Sequence, residues 1–161
     1  MVWTDKCNDA YVKLKENLPN APRLPFPNIN SRFILDCDAS HSSIGATFAQ
    51  EDSNGNEIPV AFASRSLSKH EEGYCVTRKE LLAILFFIQQ FRPYLYGQEF
   101  IVRTNHQALC YLKQSTKPIT SQYQSWFDIL AEYNFQLIYR PGSYHKNADA
   151  MSRINNPMCT M

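Results

Sequence analysis

Phe33-Ile34-Leu35-Asp36-Cys37-Asp38-Ala39-Ser40 is the stretch on which the fold turns. It reads as a strand, and successive side chains of a strand leave on opposite faces. Leu35 and Cys37 therefore share one face, and Asp36 and Asp38 the other. Acids in an otherwise apolar strand are unfavourable unless a cation compensates them. Outward from this stretch, residues 43–50 and 58–64 read as further strands. Asp52-Ser53-Asn54-Gly55-Asn56 separates them, and its Asn-Gly pair is a strong hairpin signal. Residues 32–38, 43–50 and 58–64 thus predict an antiparallel meander.

Residues 77–96 predict a long helix whose run from Leu81 to Ile88 is apolar enough to be buried on most sides. Pro93 is its expected kink and Gly97 its terminator. Residues 100–104 predict a fourth strand, 107–113 a short helix, 121–133 an amphipathic helix and 135–139 a fifth strand. A last helix is expected to start at Ala148. Strands that alternate with helices after a meander require a mixed sheet. The expected class is α/β: a five-stranded mixed sheet, three antiparallel strands followed by strands alternating with helices, with helices on both faces.

Upstream, residues 4–18 predict a helix with Cys7, Ala10, Tyr11, Leu14 and Leu18 at helical spacing. Pro19, Pro22, Pro25 and Pro27 then forbid helix and predict an extended connector over residues 19–28. The organisation read is a helix and connector over 1–30, one domain over 31–154 and a tail over 155–161.

With 161 residues, 44% of them apolar, the chain can bury a core without cross-links. Its five cysteines are scattered, with no Cys-x-x-Cys pair, and read as reduced thiols, not as a disulfide or zinc framework. Sixteen basic residues against fifteen acidic ones give a net charge of +1, which neither supports nor excludes a nucleic-acid partner. No apolar run approaches the ~18 residues of a spanning helix. The N-terminus lacks a secretory profile, so a soluble intracellular protein with no membrane partner is expected. The absence of a Gly-rich phosphate loop and of a ligand cluster argues against nucleotide-binding and zinc modules.

Asp38 in its apolar strand, Glu80 near the start of the long helix and Asp149 near the start of the last one are the informative acids. Each has an ordinary explanation as a turn cap or as a carboxylate favoured by a helix dipole. Their local motifs change the balance. The stretch 33–40, Ser43-Ile44-Gly45-Ala46, Ala63-Ser64-Arg65-Ser66-Leu67, Arg78-Lys79-Glu80-Leu81-Leu82, Phe91-Arg92-Pro93-Tyr94, Tyr139-Arg140-Pro141-Gly142 and Asn147-Ala148-Asp149-Ala150-Met151-Ser152-Arg153 occur in that order. Together they resemble the successive motifs of ribonuclease H domains in gypsy-type long-terminal-repeat retrotransposons. Residues 3–24 resemble the stretch that joins the polymerase part to the nuclease.

The resemblance implies a ribonuclease H-like fold and four catalytic, metal-ligating acids, at positions 38, 80, 105 and 149. Three are present as Asp38, Glu80 and Asp149, but position 105 is Asn105, inside Arg103-Thr104-Asn105-His106, where the family motif has aspartate. It further implies two Mg2+ ions, for which Mn2+ can substitute, about 4 Å apart across the scissile phosphate. The implied substrate is the RNA strand of an RNA·DNA hybrid. The implied partner is the polymerase domain of the same polyprotein, and the implied location is the cytoplasm, within retroelement particles, or the nucleus. Ser64, Arg65, Arg78, Lys79 and Arg103 are candidate phosphate contacts, although such side chains are more often only solvated. Tyr139 and His145 are candidates to position water or product, with a packed tyrosine and a loop histidine as the plainer readings. Two other readings stand beside this one: a non-catalytic hybrid-binding or structural module of the same fold, and an integrase or transposase. The latter is disfavoured because Glu80 directly follows the meander.

Overall fold

Alternation of apolar residues and short polar turns folds the described residues into a sheet of five strands. A computed structural model describes residues 4–17, 24–112, 121–142 and 145–153. Strands β1 (Phe33–Ala39), β2 (Ser43–Glu51) and β3 (Glu57–Ser66) form the antiparallel meander. β4 (Glu99–Thr104) runs parallel to β1, and β5 (Asn134–Tyr139) parallel to β4, giving the order β3-β2-β1-β4-β5. In the hairpin between β2 and β3, the Asp52 carboxylate accepts from the amides of Asn54 and Asn56, both at 2.8 Å. Gly55 takes the left-handed conformation there, φ 80°, which glycine adopts without steric penalty. Pro59 has no N–H to give a ladder, and it lies on the edge strand beside the register shift at Phe48 and Ala49.

β1 is central, and its residues 33–38 are buried. Phe33, Leu35 and Cys37 on one face join the main core with α3 (Val76–Gln90), α5 (Gln107–Leu112) and α6 (Ser121–Leu130). Stacked rings fill this layer, Phe33 on Phe48 at 4.9 Å and Phe48 on Phe91 at 4.6 Å between centroids. On the other face α7 (Lys146–Ser152) lies across β1 and β2. Gly45 makes that possible, because a Cβ there would stand 2.2 Å from the Ser152 nitrogen.

The expected order of strands and helices is observed, with local differences. The long helix stops at Gln90, and a separate turn, α4 (Arg92–Leu95), follows Phe91. Pro93 lacks an N–H and its ring would strike the Gln89 carbonyl, so the kink becomes a break. Gly97, at φ 79°, turns the chain into β4. A short helix α2 (Lys69–Glu72) is additional: Ser68 and Glu71 cap one another's amides in a reciprocal pair. α6 ends three residues early, and α7 begins at Lys146, two residues before Ala148. The N-terminal helix α1 (Asp5–Asn17) leaves Cys7, Ala10 and Tyr11 of its apolar stripe exposed. Residues 19–23 of the connector, Leu18, Lys113 and the tail over 155–161 lie outside the described residues. Cys7, Cys37, Cys75 and Cys110 are free thiols. Among the described residues no helix is long and apolar enough to cross a membrane.

Candidate active site

β1 and β4 are parallel, so both deliver their C-terminal ends to the same edge of the sheet, where open α/β sheets build their sites. Asp38 stands there near the end of β1, and Asn105 directly follows β4. α3 brings Glu80 to the same place. Asp38 and Glu80 are 2% and 3% exposed, so neither charge is relieved by bulk water.

Both oxygens of Asp38 receive donors. The Asn105 amide nitrogen Nδ2 donates to Oδ1 at 2.7 Å, and the Ser152 hydroxyl donates to Oδ2 at 2.5 Å. Glu80 is served less well. Burial and the Asp38 charge push its carboxyl up to about 8, against weaker pulls from the Ala39 amide and the Thr104 hydroxyl. Its Oε2 is buried and has no hydrogen-bond partner. Cys37, between Asp36 and Asp38 in sequence, is raised well above the usual thiol range by burial and then by the charges of Asp36, Glu80 and Asp38. It is an inert packed thiol.

Asp149 joins this group only indirectly. Its carboxylate faces Arg153 at 2.7 Å in a pair that is about half exposed. Its backbone carbonyl, however, lies 2.9 Å from the same Ser152 hydroxyl that reaches Asp38. The structure thus brings Asp38, Glu80 and Asn105 together and holds Asp149 one residue removed. Among the described residues no group of three His, Cys, Asp or Glu side chains is close enough to cage a metal. The set is nevertheless suited to a hard divalent cation, which prefers carboxylate and amide oxygens. An orphaned, buried carboxylate oxygen beside a second carboxylate is the feature such an ion would satisfy.

The other candidates occupy varied settings. Arg103 is drawn into the sheet: Nε and Nη2 grip Asp36 at 2.5 and 2.8 Å, and Nη1 and Nη2 grip Glu57 at 2.6 and 2.8 Å. Arg140 adds a third bond to Asp36 at 3.0 Å. Arg103 is therefore a structural counter-ion, not a free phosphate contact. Lys79 is likewise buried and donates to the His41 carbonyl at 2.9 Å. Arg65 lies on the Phe86 ring and pairs with Glu71 at 2.8 Å. Arg78 lies 3.7 Å from the Tyr74 ring centroid, with Trp126 at 5.7 Å and Tyr123 at 6.0 Å. Ser64 pairs with Gly45 across β2 and β3, and Tyr139 ends β5 with its side chain exposed. His145 precedes α7, as a loop histidine would, but it is buried: it is 1% exposed, and its Nε2 lies 2.8 Å from the Cys37 carbonyl oxygen. Sequence reasoning missed Ser152, although it stands one helical turn after Asp149, the spacing at which side chains share a face.

The family model of an RNase H-like domain found in reverse transcriptase matches residues 28–133, which include Asp38, Glu80 and Asn105. The Pol polyprotein from transposon 412 of Drosophila melanogaster is 40% identical over 152 residues, 94% of this chain and 12% of the relative. The Tf2-3 polyprotein of Schizosaccharomyces pombe is 32% identical over 155 residues, 94% of this chain and again 12% of the relative. The chain thus spans about an eighth of the length of these relatives. Among solved structures, the foamy viral protease-reverse transcriptase in complex with an RNA/DNA hybrid superposes with a TM-score of 0.61 at 17% identity, covering 86% of this chain and 19% of that one. LC11-RNase H1, also in complex with a hybrid, gives a TM-score of 0.53 at 19% identity, covering 74% of this chain and 93% of that one. The match over residues 28–133 shows that the chain belongs to the RNase H-like domains found in reverse transcriptase, and its relatives are retrotransposon polyproteins.

Proposed function

We propose that this domain is built to hydrolyse the RNA strand of RNA·DNA hybrids, and that Asn105 leaves this copy impaired or inactive. The observation that carries the reading is the buried, unpartnered Oε2 of Glu80 beside Asp38. Asp38, Glu80 and Asp149 would hold the divalent cations, Mg2+ or Mn2+, with position 105 as the fourth ligand. Bound cations supply Lewis-acid stabilisation of the phosphate and a more acidic water. The chain's own residues set the rest. Asp38 and Glu80 would hold a cation from the buried side of the site, and Asp149 could leave Arg153 to join them because half-exposed ion pairs contribute only ~0–1 kcal/mol.

Asn105 retains a carbonyl oxygen but lacks the negative charge. Unit charges ~4 Å apart interact by ~4 kcal/mol at an effective dielectric of ~20. Half of that is still about a thirtyfold change in rate. The hybrid would be recognised by its wide minor groove and its 2′-hydroxyls, with little sequence preference. Ser64, Arg65, Arg78 and Tyr139 are the proposed contacts, while Arg103 and His145 serve the fold. The same reading assigns the domain to the polymerase domain of its polyprotein as partner, and to retroelement particles in the cytoplasm or to the nucleus.

A second reading has its own observation. The bond from Asn105 satisfies Asp38 without a cation, as a module that only binds hybrid would require. Cleavage of a labelled hybrid by the chain and by Asn105→Asp, in magnesium and in manganese, separates the two. Recovery of cleavage in Asn105→Asp supports the enzyme reading; hybrid binding with no recovery supports the binding module.

A further inference from the structure

We infer that Ser152 is a positioning residue for this site: its hydroxyl fixes the Asp38 carboxylate and ties it to the helix that carries Asp149. The inference rests on the function proposed above. Ser152 is fully buried. Its Oγ lies 2.5 Å from Oδ2 of Asp38 and 2.9 Å from the Asp149 carbonyl. A hydroxyl has a single proton, and the carboxylate oxygen, at the shorter distance, is its acceptor. The Ser152 carbonyl is held in turn, because the hydroxyls of Ser40 and Ser43 donate to it at 2.6 and 2.5 Å. These two serines flank the turn between β1 and β2, just beyond Asp38. One residue of α7 is therefore pinned to the β1–β2 turn through its carbonyl and to Asp38 through its side chain.

The seat for that residue is also specified. Gly45 is the register partner of Asp38, and a Cβ on Gly45 would stand 2.2 Å from the Ser152 nitrogen and 2.4 Å from the Met151 carbonyl carbon. Only glycine lets the last turn of α7 come close enough for a serine hydroxyl to reach Asp38. Asp149 lies one turn earlier on the same helix, so this contact sets the separation of the two acids. In the present chain Asn105 supplies a second donor to Asp38. An aspartate at position 105 would remove it and leave Ser152 as the side chain that orients the carboxylate.

The test uses Asn105→Asp as the reference protein and adds Ser152→Ala. Groups that orient metal ligands are typically worth about 10–100-fold in affinity or activity. The expected result is a loss of at least about tenfold in Mn2+ affinity and in kcat, with KM for hybrid unchanged. In the chain that keeps Asn105, Ser152→Ala should also shift the carboxyl carbon resonance of Asp38 in metal-free buffer. Ser152→Cys fills the site with a slightly larger group that donates weakly; it should show the same pattern and is read in place of Ser152→Ala if that variant does not fold. If Asn105→Asp binds Mn2+ and cleaves, and the Ser152 variants match it in affinity and kcat, the role assigned to Ser152 is wrong. If Asn105→Asp itself neither binds the ion nor cleaves, the reading of the site fails, and the inference with it.

Discussion

Asn105 donates its side-chain amide to Oδ1 of Asp38 at 2.7 Å, so the residue that interrupts the acidic set also satisfies the acid beside it. An aspartate in its place would turn a donor into a second charge facing Asp38. Two buried carboxylates without a cation repel and raise one another's pKa.

Asn105→Asp should therefore be less stable than the present chain in chelator, by about 1–3 kcal/mol, the usual penalty for an unmade buried hydrogen bond. Magnesium should restore the difference, because an ion that binds only the native state stabilises it by mass action. Thermal melts with EDTA and with magnesium check this. An Asn105→Asp variant that melts higher than the present chain in EDTA would contradict the assigned role.

The Glu80 carboxyl, raised from 4.5 to about 8, makes stability depend on pH. A folded value above the unfolded one means that the native state holds the proton more tightly. The contribution is full below the unfolded value and is lost as pH rises through the folded one. In metal-free buffer the unfolding free energy should fall between about pH 5 and 8, by up to a few kcal/mol. Glu80→Gln should flatten that fall. Urea titrations across the range decide it, and an unchanged slope in Glu80→Gln would assign the effect elsewhere.

Arg103 joins β4 to Asp36 of β1 and to Glu57 of β3, and it is the principal counter-charge of the buried Asp36. Removing one partner of a buried pair typically costs about 3–5 kcal/mol. Arg103→Met should destabilise the fold on that scale, and adding Asp36→Asn should recover part of the loss. Denaturant melts of both variants test it. If Arg103→Met is fully stable yet binds hybrid poorly, Arg103 belongs to the substrate surface after all.

Gly45→Ala should dislodge α7, since its Cβ would stand 2.2 Å from backbone nitrogen that cannot move aside as a flexible side-chain tip would. A loss of about 3 kcal/mol or more is expected. Hydrogen exchange localises it: the amides of α7 should lose protection before those of β1. Uniform loss of protection would place the strain elsewhere.

Much of this was legible in the chain itself, because local pattern governs it. The period of two through residues 33–38 placed Asp36 and Asp38 on one face, and the Asn-Gly turn set the meander. The intact surroundings of Asn105 marked it as the altered position. What could not be read depends on contacts between distant segments. The commitment of Arg103 to Asp36 and Glu57, the burial of His145 under Cys37, and the reach of Ser152 to Asp38 all arise from sheet order and the seating of α7. The helix over 69–72 is a different case, since Ser68 and Glu71 carried its capping signature in plain sequence.

The most direct test of the central claim is calorimetric titration of Mn2+ into the present chain, into Asn105→Asp, and into Asn105→Asp combined with Glu80→Gln. The site described here predicts weak binding by the present chain, at least about tenfold tighter binding by Asn105→Asp, and loss of that gain when Glu80 is neutralised. Equal affinity in all three proteins would show that Asp38, Glu80 and position 105 do not form a cation site.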